Sequence, residues 1–253
     1  MFRWNQISAV FGGSFDPPHE GHRVAAEGLL QHPGVKRVWV LPSGNPPWKN
    51  CIAAARDRLE MTKRAFGSGA GASPQIEVLD WEITLSERGA NNRNSSEKTT
   101  TSAVLDWITP LAQGEPMAWV IGSDQFLSLE KWSQFPEVLG RCHWIVLHRK
   151  GSPGHTQDET QAQCARLELS GLIKRDLTGP NQWIIAPRLV RDSSEKHLVL
   201  VETEAPALSS TAIREKLARK APPRELIQHG LLAPSVLDYL MEKSLYGTGK
   251  HDV

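Results

Sequence analysis

Two histidines near the start of the chain, His19 and His22, are spaced so that both can face one ligand. They follow a strand-like run that ends at Gly12 and Gly13, in the sequence AVFGGSFDPPHEGH. Side chains three residues apart on a first helical turn project from the same side, and glycines let backbone N–H groups approach an anion closely. The helix N-terminus adds its dipole. This pattern indicates a phosphate site between a strand and a helix.

Each part of this stretch has another explanation when it is taken alone. A glycine pair can be an ordinary turn, and a histidine near a helix start is more often a cap or a surface residue. Two histidines at this spacing could also ligate zinc, but no cysteine, histidine or acidic cluster stands at a spacing that completes such a site. The combination of strand, GGSFDPPH and HxGH favours phosphate contact.

A second candidate anion site lies near the other end of the chain, in LSSTAIR at residues 208–214. Ser209 or Ser210 is a suitable N-cap, and the hydroxyl of Thr211 and the helix N–H groups can also face an anion. Arg214 would lie one turn into the helix. Taken alone, this stretch could equally be an ordinary capped helix.

Together these motifs resemble a known family. GGSFDPPHEGH is similar to the signature of the HxGH nucleotidyltransferase superfamily, in the form typical of bacterial nicotinate-nucleotide adenylyltransferases. LSSTAIR resembles the family's ISSTxIR motif, which binds the ATP phosphates that leave as pyrophosphate. The resemblance implies an α/β, Rossmann-like nucleotidyltransferase fold, with a parallel sheet, helices on both faces and a small C-terminal helical part.

Three further segments match the family in order along the chain: PSGNPPWK at 42–49, IGSDQFLSLEKW at 121–132 and HWIVLHR at 143–149. The resemblance implies that Lys49 faces the phosphates, that Trp132 stacks on a pyridine ring and that Arg149 lies near the nucleotide. A surface lysine is the alternative for the first, and a core or lid tryptophan for the second, since the chain has nine tryptophans.

The site residues implied by the resemblance fall into three groups. The catalytic group is His19, His22, Lys49 and Arg214. The ATP-binding group is Gly12, Gly13, Ser14, Phe15, His19, His22, Gly122, Asp124, Arg149, Ser209, Ser210, Thr211 and Arg214. The acceptor-binding group is Lys49, Thr100, Thr101, Trp132 and Ser133. Mg²⁺ is expected on the triphosphate, with no metal site formed by the protein.

The expected reaction joins AMP from ATP to nicotinate mononucleotide. One departure bears on the acceptor: relatives carry SYTxxTL where this chain has TTTSAVL at 99–105, so Thr100 replaces a tyrosine. Nicotinamide mononucleotide and phosphopantetheine therefore stay open as acceptors, and cytidylyltransferases share the HxGH start. A nucleotide-binding regulatory module is the alternative that is not an enzyme.

The elements that must position these residues alternate along the chain, which is typical of βαβ units. The predicted strands are 7–11, 35–41, 76–81, 118–121, 143–147 and 197–201. The predicted helices are 22–30, 52–66, 101–111, 210–219 and 235–245, with an amphipathic stretch at 125–139. The polar run 86–98 is predicted to be a mobile loop. The chain is expected to form one domain, with an insertion at about 150–195 and a C-terminal helical segment at about 210–247.

Composition excludes several classes of protein. With 253 residues, 40% hydrophobic residues and a net charge of +1, the chain can bury a sizeable core and has no global field that would attract nucleic acid or anionic lipid. Three scattered cysteines suit a reducing compartment. No signal peptide or membrane-spanning run of ~20 apolar residues is visible, so the protein is predicted to be soluble and cytoplasmic. Homo-oligomer formation stays open.

Overall fold

Eight strands, rich in β-branched and aromatic residues, form one sheet among the described residues. The computed structural model describes residues 6–46, 51–67, 73–90, 99–149, 156–192, 194–219 and 222–248. The strands are β1 (Ile7–Gly13), β2 (Val35–Pro42), β3 (Ile76–Val78), β4 (Met117–Gly122), β5 (His143–Arg149), β6 (Ile173–Arg175), β7 (Gln182–Ile185) and β8 (His197–Thr203).

The strand order is β3-β2-β1-β4-β5-β8-β7-β6. Strands β1, β4, β5 and β8 are parallel neighbours, with Val10 opposite Trp119 and Ile145 opposite Val199. Nearly every residue of β4 and β5 is buried, as expected for central strands of a parallel sheet. Strands β7 and β6 run antiparallel. The predicted Rossmann-like α/β fold is confirmed.

The helices lie between the strands and after β8. They are α1 (Glu20–Leu30), α2 (Ala55–Gly67), α3 (Trp81–Ala90), α4 (Thr101–Ile108), α5 (Ser123–Leu127), α6 (Gln157–Leu169), α7 (Ser210–Ala218), α8 (Pro223–Gln228) and α9 (Pro234–Glu242). Short 3₁₀ turns occur at Thr109–Ala112, Leu129–Lys131, Glu137–Arg141, Pro187–Leu189 and Leu245–Gly247. No described helix is long and apolar enough to cross a membrane.

Two local predictions were wrong. The third strand was predicted over residues 76–81, but it ends at Val78, and Trp81 begins α3. The described part of the polar run, 86–90, is helical and not a loop; residues 91–98 lie outside the described part of the chain. Local polarity gave no sign of the helix, which is anchored by the fully buried Ile83.

The chain divides into two compact units, each assembled from three separate stretches. The first unit comprises Met1–Phe11, Gly28–Val38 and Thr100–Glu204, and the second comprises Gly12–Glu27, Trp39–Thr99 and Ala205–Val253. In the second unit, the C-terminal helices α7, α8 and α9 bury Ile213, Leu226 and Leu240 in one apolar cluster with Met61 of α2. The segment predicted as an insertion contributes α6, β6 and β7 to the first unit.

Candidate functional site

The stretch GGSFDPPHEGH connects the end of β1 to the start of α1 in the second unit. The carbonyl oxygen of Gly13 accepts hydrogen bonds from the backbone N–H of Ser43, at 2.8 Å, and from its hydroxyl, at 3.2 Å. A Cβ on Gly13 would lie 3.0 Å from the ring of Phe15. The buried Phe15 has a left-handed φ of 48°, and its ring packs edge-on against His22 and Phe66. Glycine therefore lets this ring pack against the end of the strand.

The two histidines contact each other directly. Their rings are nearly parallel, with centroids 3.7 Å apart. The backbone N–H of His19 donates to Nδ1 of His22 at 3.2 Å, so a neutral His22 carries its proton on Nε2. The carbonyl of His19 accepts from the N–H groups of His22 and Arg23 at the start of α1. His19 is buried, whereas His22 is half-buried, so His22 is the more accessible of the two.

Gly21 has a structural reason to be glycine. A Cβ at this position would lie 3.0 Å from the carbonyl oxygen of Pro206 and 3.1 Å from the ring of His19. The loop after β8 therefore comes close to α1 at this point. The first N–H of the helix, on Glu20, donates to the carbonyl of Leu231 at 3.1 Å and is used within the protein.

The segment LSSTAIR begins α7, and Ser209 is its N-cap. The Ser209 hydroxyl oxygen accepts from the N–H of Ala212 at 3.1 Å. The Ser210 hydroxyl donates to the carbonyl of Pro17 at 2.8 Å, which joins α7 to the GGSFDPPHEGH turn. Thr211 is exposed at the helix start. The two motifs, almost 200 residues apart in sequence, thus contact each other within the second unit.

Arg214 strengthens this junction through its guanidinium. One terminal nitrogen, Nη1, donates to the main-chain oxygen of Asp16 at 2.6 Å and lies 3.6 Å from the Asp16 carboxylate. The other, Nη2, donates to the hydroxyl of Thr211 at 3.2 Å. These two hydrogen bonds use two of the five N–H donors of an arginine.

Asp16 is a site residue that the sequence patterns did not identify. It is only 2% exposed, and its carboxylate accepts from the N–H of Ile52 at 2.8 Å, the N–H of Ala53 at 3.1 Å and the hydroxyl of Tyr246 at 2.5 Å. The available signal in the sequence was that Asp16 stands between Phe15 and a proline pair, which hints at burial. A buried carboxylate needs several hydrogen-bond donors.

Arg58 of α2 connects the loops after β1 and β2. It is 1% exposed, and its guanidinium donates to the carbonyl of Ser14 at 2.8 Å and to that of Gly44 at 2.9 Å. A Cβ on Gly44 would lie 2.5 Å from the carbonyl oxygen of Glu82. Burial raises the pKa of the Glu82 carboxyl to about 8, against the opposing effects of the Gly44 N–H and the Arg58 charge.

In the first unit, candidate residues lie at the carboxyl ends of two adjacent strands. Gly122 ends β4, and Arg149 ends the parallel strand β5 beside it, with Gly122 opposite Leu147. Asp124 is exposed in the first turn of α5. A Cβ on Gly122 would lie 2.5 Å from the Asp124 carboxylate. The carboxyl edge of a parallel sheet is where ligands bind in such folds.

Trp132 follows the 3₁₀ turn Leu129–Lys131 and is half-buried. Its ring packs edge-on against the buried Trp144, with centroids 6.0 Å apart, and the Trp144 indole N–H donates to the carbonyl of Leu139. The neighbouring Ser133 is exposed. Packing against Trp144 fixes one side of the Trp132 indole, and part of its surface stays open to solvent.

Thr100 and Thr101 begin α4. Thr100 is the N-cap, and its hydroxyl oxygen accepts from the N–H of Ala103 at 3.3 Å. Both threonines are half-buried. Thr100 thus caps the helix, as a serine or threonine normally does.

The predicted site residues lie partly in the second unit and partly in the first. The second unit contains Gly12, Gly13, Ser14, Phe15, His19, His22, Ser209, Ser210, Thr211 and Arg214. The first unit contains Thr100, Thr101, Gly122, Asp124, Trp132, Ser133 and Arg149. Lys49 lies outside the described residues.

Cys142 and Cys164 are buried free thiols, and burial raises the pKa of each to about 12. Such thiols stay protonated near neutral pH and are poor nucleophiles. Among the residues with described positions, no three His, Cys, Asp or Glu side chains are grouped to hold a metal ion.

Known sequences similar to this chain agree with the family that its motifs resemble. The Cytidylyltransferase-like family matches residues 10–216 of the chain. Two bacterial relatives are each named "Probable nicotinate-nucleotide adenylyltransferase". The protein from Klebsiella pneumoniae subsp. pneumoniae is 28% identical over 97% of this chain and 100% of its own length. The protein from Acidithiobacillus ferrooxidans is 30% identical over 94% of each chain.

Solved structures show the same fold. A Plasmodium falciparum nicotinic acid mononucleotide adenylyltransferase complexed with NaAD has a TM-score of 0.68 and 15% identity, covering 97% of this chain and 99% of that one. The same enzyme complexed with APC has a TM-score of 0.66 at the same identity and coverage. At this identity the similarity concerns the fold alone.

Proposed function

Because the chain belongs to the Cytidylyltransferase-like family and, within it, to the nicotinate-nucleotide adenylyltransferases, we propose that it transfers the adenylyl group of ATP to nicotinate mononucleotide, giving deamido-NAD and pyrophosphate. It is a nucleotidyltransferase, and its substrates are small molecules. The bacterial relatives, each named "Probable nicotinate-nucleotide adenylyltransferase", support a pyridine mononucleotide as the acceptor. The activity belongs to NAD biosynthesis.

One observation carries the proposal: the two phosphate motifs contact each other. Ser210 donates to the carbonyl of Pro17, and Arg214 to that of Asp16, so the cationic and hydroxyl groups of α7 are anchored to the turn that holds His19 and His22. A protein that only binds a nucleotide does not need donors placed for a transition state. Positioned donors of this kind favour catalysis over simple binding.

In the proposed reaction, an oxygen of the acceptor's phosphate forms a bond to the α-phosphorus of ATP. The bond from that phosphorus to the oxygen bridging to the β-phosphate breaks, and its electron pair leaves with pyrophosphate. This direct displacement needs no protein nucleophile. Catalysis then depends on aligning two anions and stabilising charge on the phosphates.

His22 is proposed to stabilise the α-phosphate. Its Nδ1 accepts the N–H of His19, which assigns the donor role to Nε2. The first N–H of α1 is already bonded to the carbonyl of Leu231. The histidine side chains are therefore proposed to supply part of the hydrogen-bond donation to the phosphate that was predicted for the helix N-terminus. His19, stacked on His22, fixes the orientation of that ring.

The triphosphate is assigned to the other cationic groups, and the metal ion comes with it. Arg214 and the hydroxyl groups at the start of α7 are proposed to bind the β and γ phosphates, with Lys49 as a further cation. Enzymes of this class use ATP with a divalent metal ion, and we propose Mg²⁺, which enters as part of the Mg·ATP substrate. Gly122, Asp124 and Arg149 are proposed to contact the nucleotide.

The acceptor is assigned to residues of the first unit. The half-buried Trp132 offers an indole face to a pyridine ring. Stacking of two aromatic rings contributes ~1 kcal/mol in addition to the free energy gained by burying their surfaces. The N–H groups at the start of α4, beside Thr100 and Thr101, suit the nicotinate carboxylate. Ser133, next to Trp132, is exposed and can contact the ribose phosphate.

A single assay tests this function. The protein is incubated with Mg·ATP and, in separate reactions, nicotinate mononucleotide, nicotinamide mononucleotide or phosphopantetheine, and pyrophosphate release is measured. We expect the fastest release with nicotinate mononucleotide. Faster release with another acceptor would reassign the substrate, and no release with any of them would favour a nucleotide-binding module.

A further inference from the structure

The carboxylate of Asp16 is satisfied almost entirely by uncharged donors. Two backbone N–H groups, from Ile52 and Ala53, and the hydroxyl of Tyr246 donate to its two oxygens. A buried carboxylate ordinarily attracts a nearby arginine into a close ion pair. Here the nearest guanidinium nitrogen of Arg214 remains 3.6 Å from Oδ2, beyond hydrogen-bond distance.

The same guanidinium nitrogen instead donates to the main-chain oxygen of Asp16 at 2.6 Å. Arg214 is therefore anchored by a neutral carbonyl, and its charge is not used in a tight pair with the carboxylate. The hydroxyl of Tyr246 is on Oδ1, together with the N–H of Ala53. Without the Tyr246 hydroxyl, this oxygen would lose one of its two donors.

We propose that Tyr246, in the C-terminal turn Leu245–Gly247, is a positioning residue for ATP: by donating to Asp16 it keeps Arg214 directed at the departing pyrophosphate. The inference rests on the proposed function, because it takes Arg214 as a phosphate ligand. Burial and the hydrogen bond to Asp16 raise the pKa of Tyr246, so its phenol stays protonated and remains a donor.

Substitution Tyr246→Phe tests the proposal, because it removes only the hydroxyl. The Asp16 carboxylate then has one donor fewer to offset its negative charge, and it attracts the Arg214 guanidinium, 3.6 Å from Oδ2, away from the phosphates. We expect the KM for Mg·ATP to rise about tenfold, the scale of one hydrogen bond to a charged group. The KM for the acceptor should stay within about twofold of wild type.

Tyr239→Phe is the matched control. The Tyr239 hydroxyl donates to the carboxylate of Asp57 at 2.9 Å, so this variant loses a similar tyrosine–aspartate hydrogen bond from the second unit without affecting Asp16. A purely structural role for Tyr246 would lower the melting temperature in both variants and leave both ATP KM values alike. Equal ATP KM values in the two variants would overturn the inference.

A second measurement separates this inference from the proposed function. Titration calorimetry of Mg·ATP in the absence of acceptor should give an affinity about tenfold weaker in Tyr246→Phe than in Tyr239→Phe. If wild type binds Mg·ATP but releases no pyrophosphate with any acceptor, the proposed function fails, and the affinity comparison still decides the role of Tyr246. Wild-type protein that does not bind Mg·ATP would overturn both.

Discussion

His22 contacts two rings: it stacks on His19 and packs edge-on against Phe15. We expect His22→Ala to lower turnover by roughly 10²- to 10³-fold, the scale for loss of one pre-organised donor to a transition state. The melting temperature should change little, because the ring is only half-buried. Steady-state pyrophosphate release and thermal unfolding measure the two effects.

The exposed His229, which lies at the end of α8 in the second unit, provides a control for His22. His229→Ala should retain wild-type turnover and stability, since surface substitutions usually change stability by less than about 0.5 kcal/mol. Near-normal turnover in His22→Ala would remove His22 from the mechanism.

Glu82 should make the stability of the protein depend on pH. Its folded pKa of about 8 is above the value of an unfolded glutamate. Between those two values, the folded protein holds a proton that the unfolded chain releases, so wild-type stability falls as pH rises. Glu82→Gln stays neutral. Its free energy of unfolding should therefore rise relative to wild type by on the order of 1 kcal/mol per pH unit between about pH 5 and 8, and level off above that range.

Glu77 on β3 is the control for this pH effect, because it is exposed. Urea unfolding of wild type, Glu82→Gln and Glu77→Gln across the pH range isolates the contribution of Glu82. A difference between Glu82→Gln and wild type that does not change with pH would show that Glu82 has an ordinary pKa in the folded state.

Helix α1 contains two glycines that should respond oppositely to substitution. A Cβ on Gly21 would meet the carbonyl of Pro206 and the His19 ring, whereas one on the exposed Gly28 would lie 3.8 Å from the nearest atom, the Thr203 hydroxyl oxygen. We expect Gly21→Ala to reduce the free energy of unfolding by about 1–3 kcal/mol. Gly28→Ala should raise it by up to about 1 kcal/mol, through better helix propensity. Urea unfolding tests both, and equal changes would contradict the close approach of the Pro206 loop.

Elements with strong periodicity were predictable, and those fixed by tertiary contacts were not. Buried runs such as residues 144–147 of β5 are apolar throughout and are recognised as strands. Trp81, Ile83 and Leu85 alternate as a strand would, yet they lie on helix α3, where Ile83 is fully buried. Strand β7 was not among the predicted strands; its antiparallel pairing with β8 and β6 appears only in the folded chain.

At the scale of the whole molecule, the sequence predicted two phosphate motifs but not the contacts that join them. The second unit assembles Gly12–Glu27 with Ala205–Val253, and no local pattern marks such an assembly. Asp16 and Tyr246 are bonded across 230 residues of sequence. The sequence marks Asp16 only by its place between Phe15 and a proline pair, and the folded chain alone shows its hydrogen bond to Tyr246.

Binding of Mg·ATP should stabilise the whole molecule, because a ligand that binds only the folded state raises the free energy of unfolding. At about 100 times the dissociation constant this amounts to about 2.7 kcal/mol, or roughly 5–10 °C in melting temperature for a chain of this length. Arg214→Ala should reduce the shift to about half, as a tenfold weaker affinity requires. Arg219→Ala, at the opposite, exposed end of α7, should keep the full shift. Identical shifts in the two variants would show that Arg214 does not bind the phosphates, and that the junction of the two motifs serves stability alone.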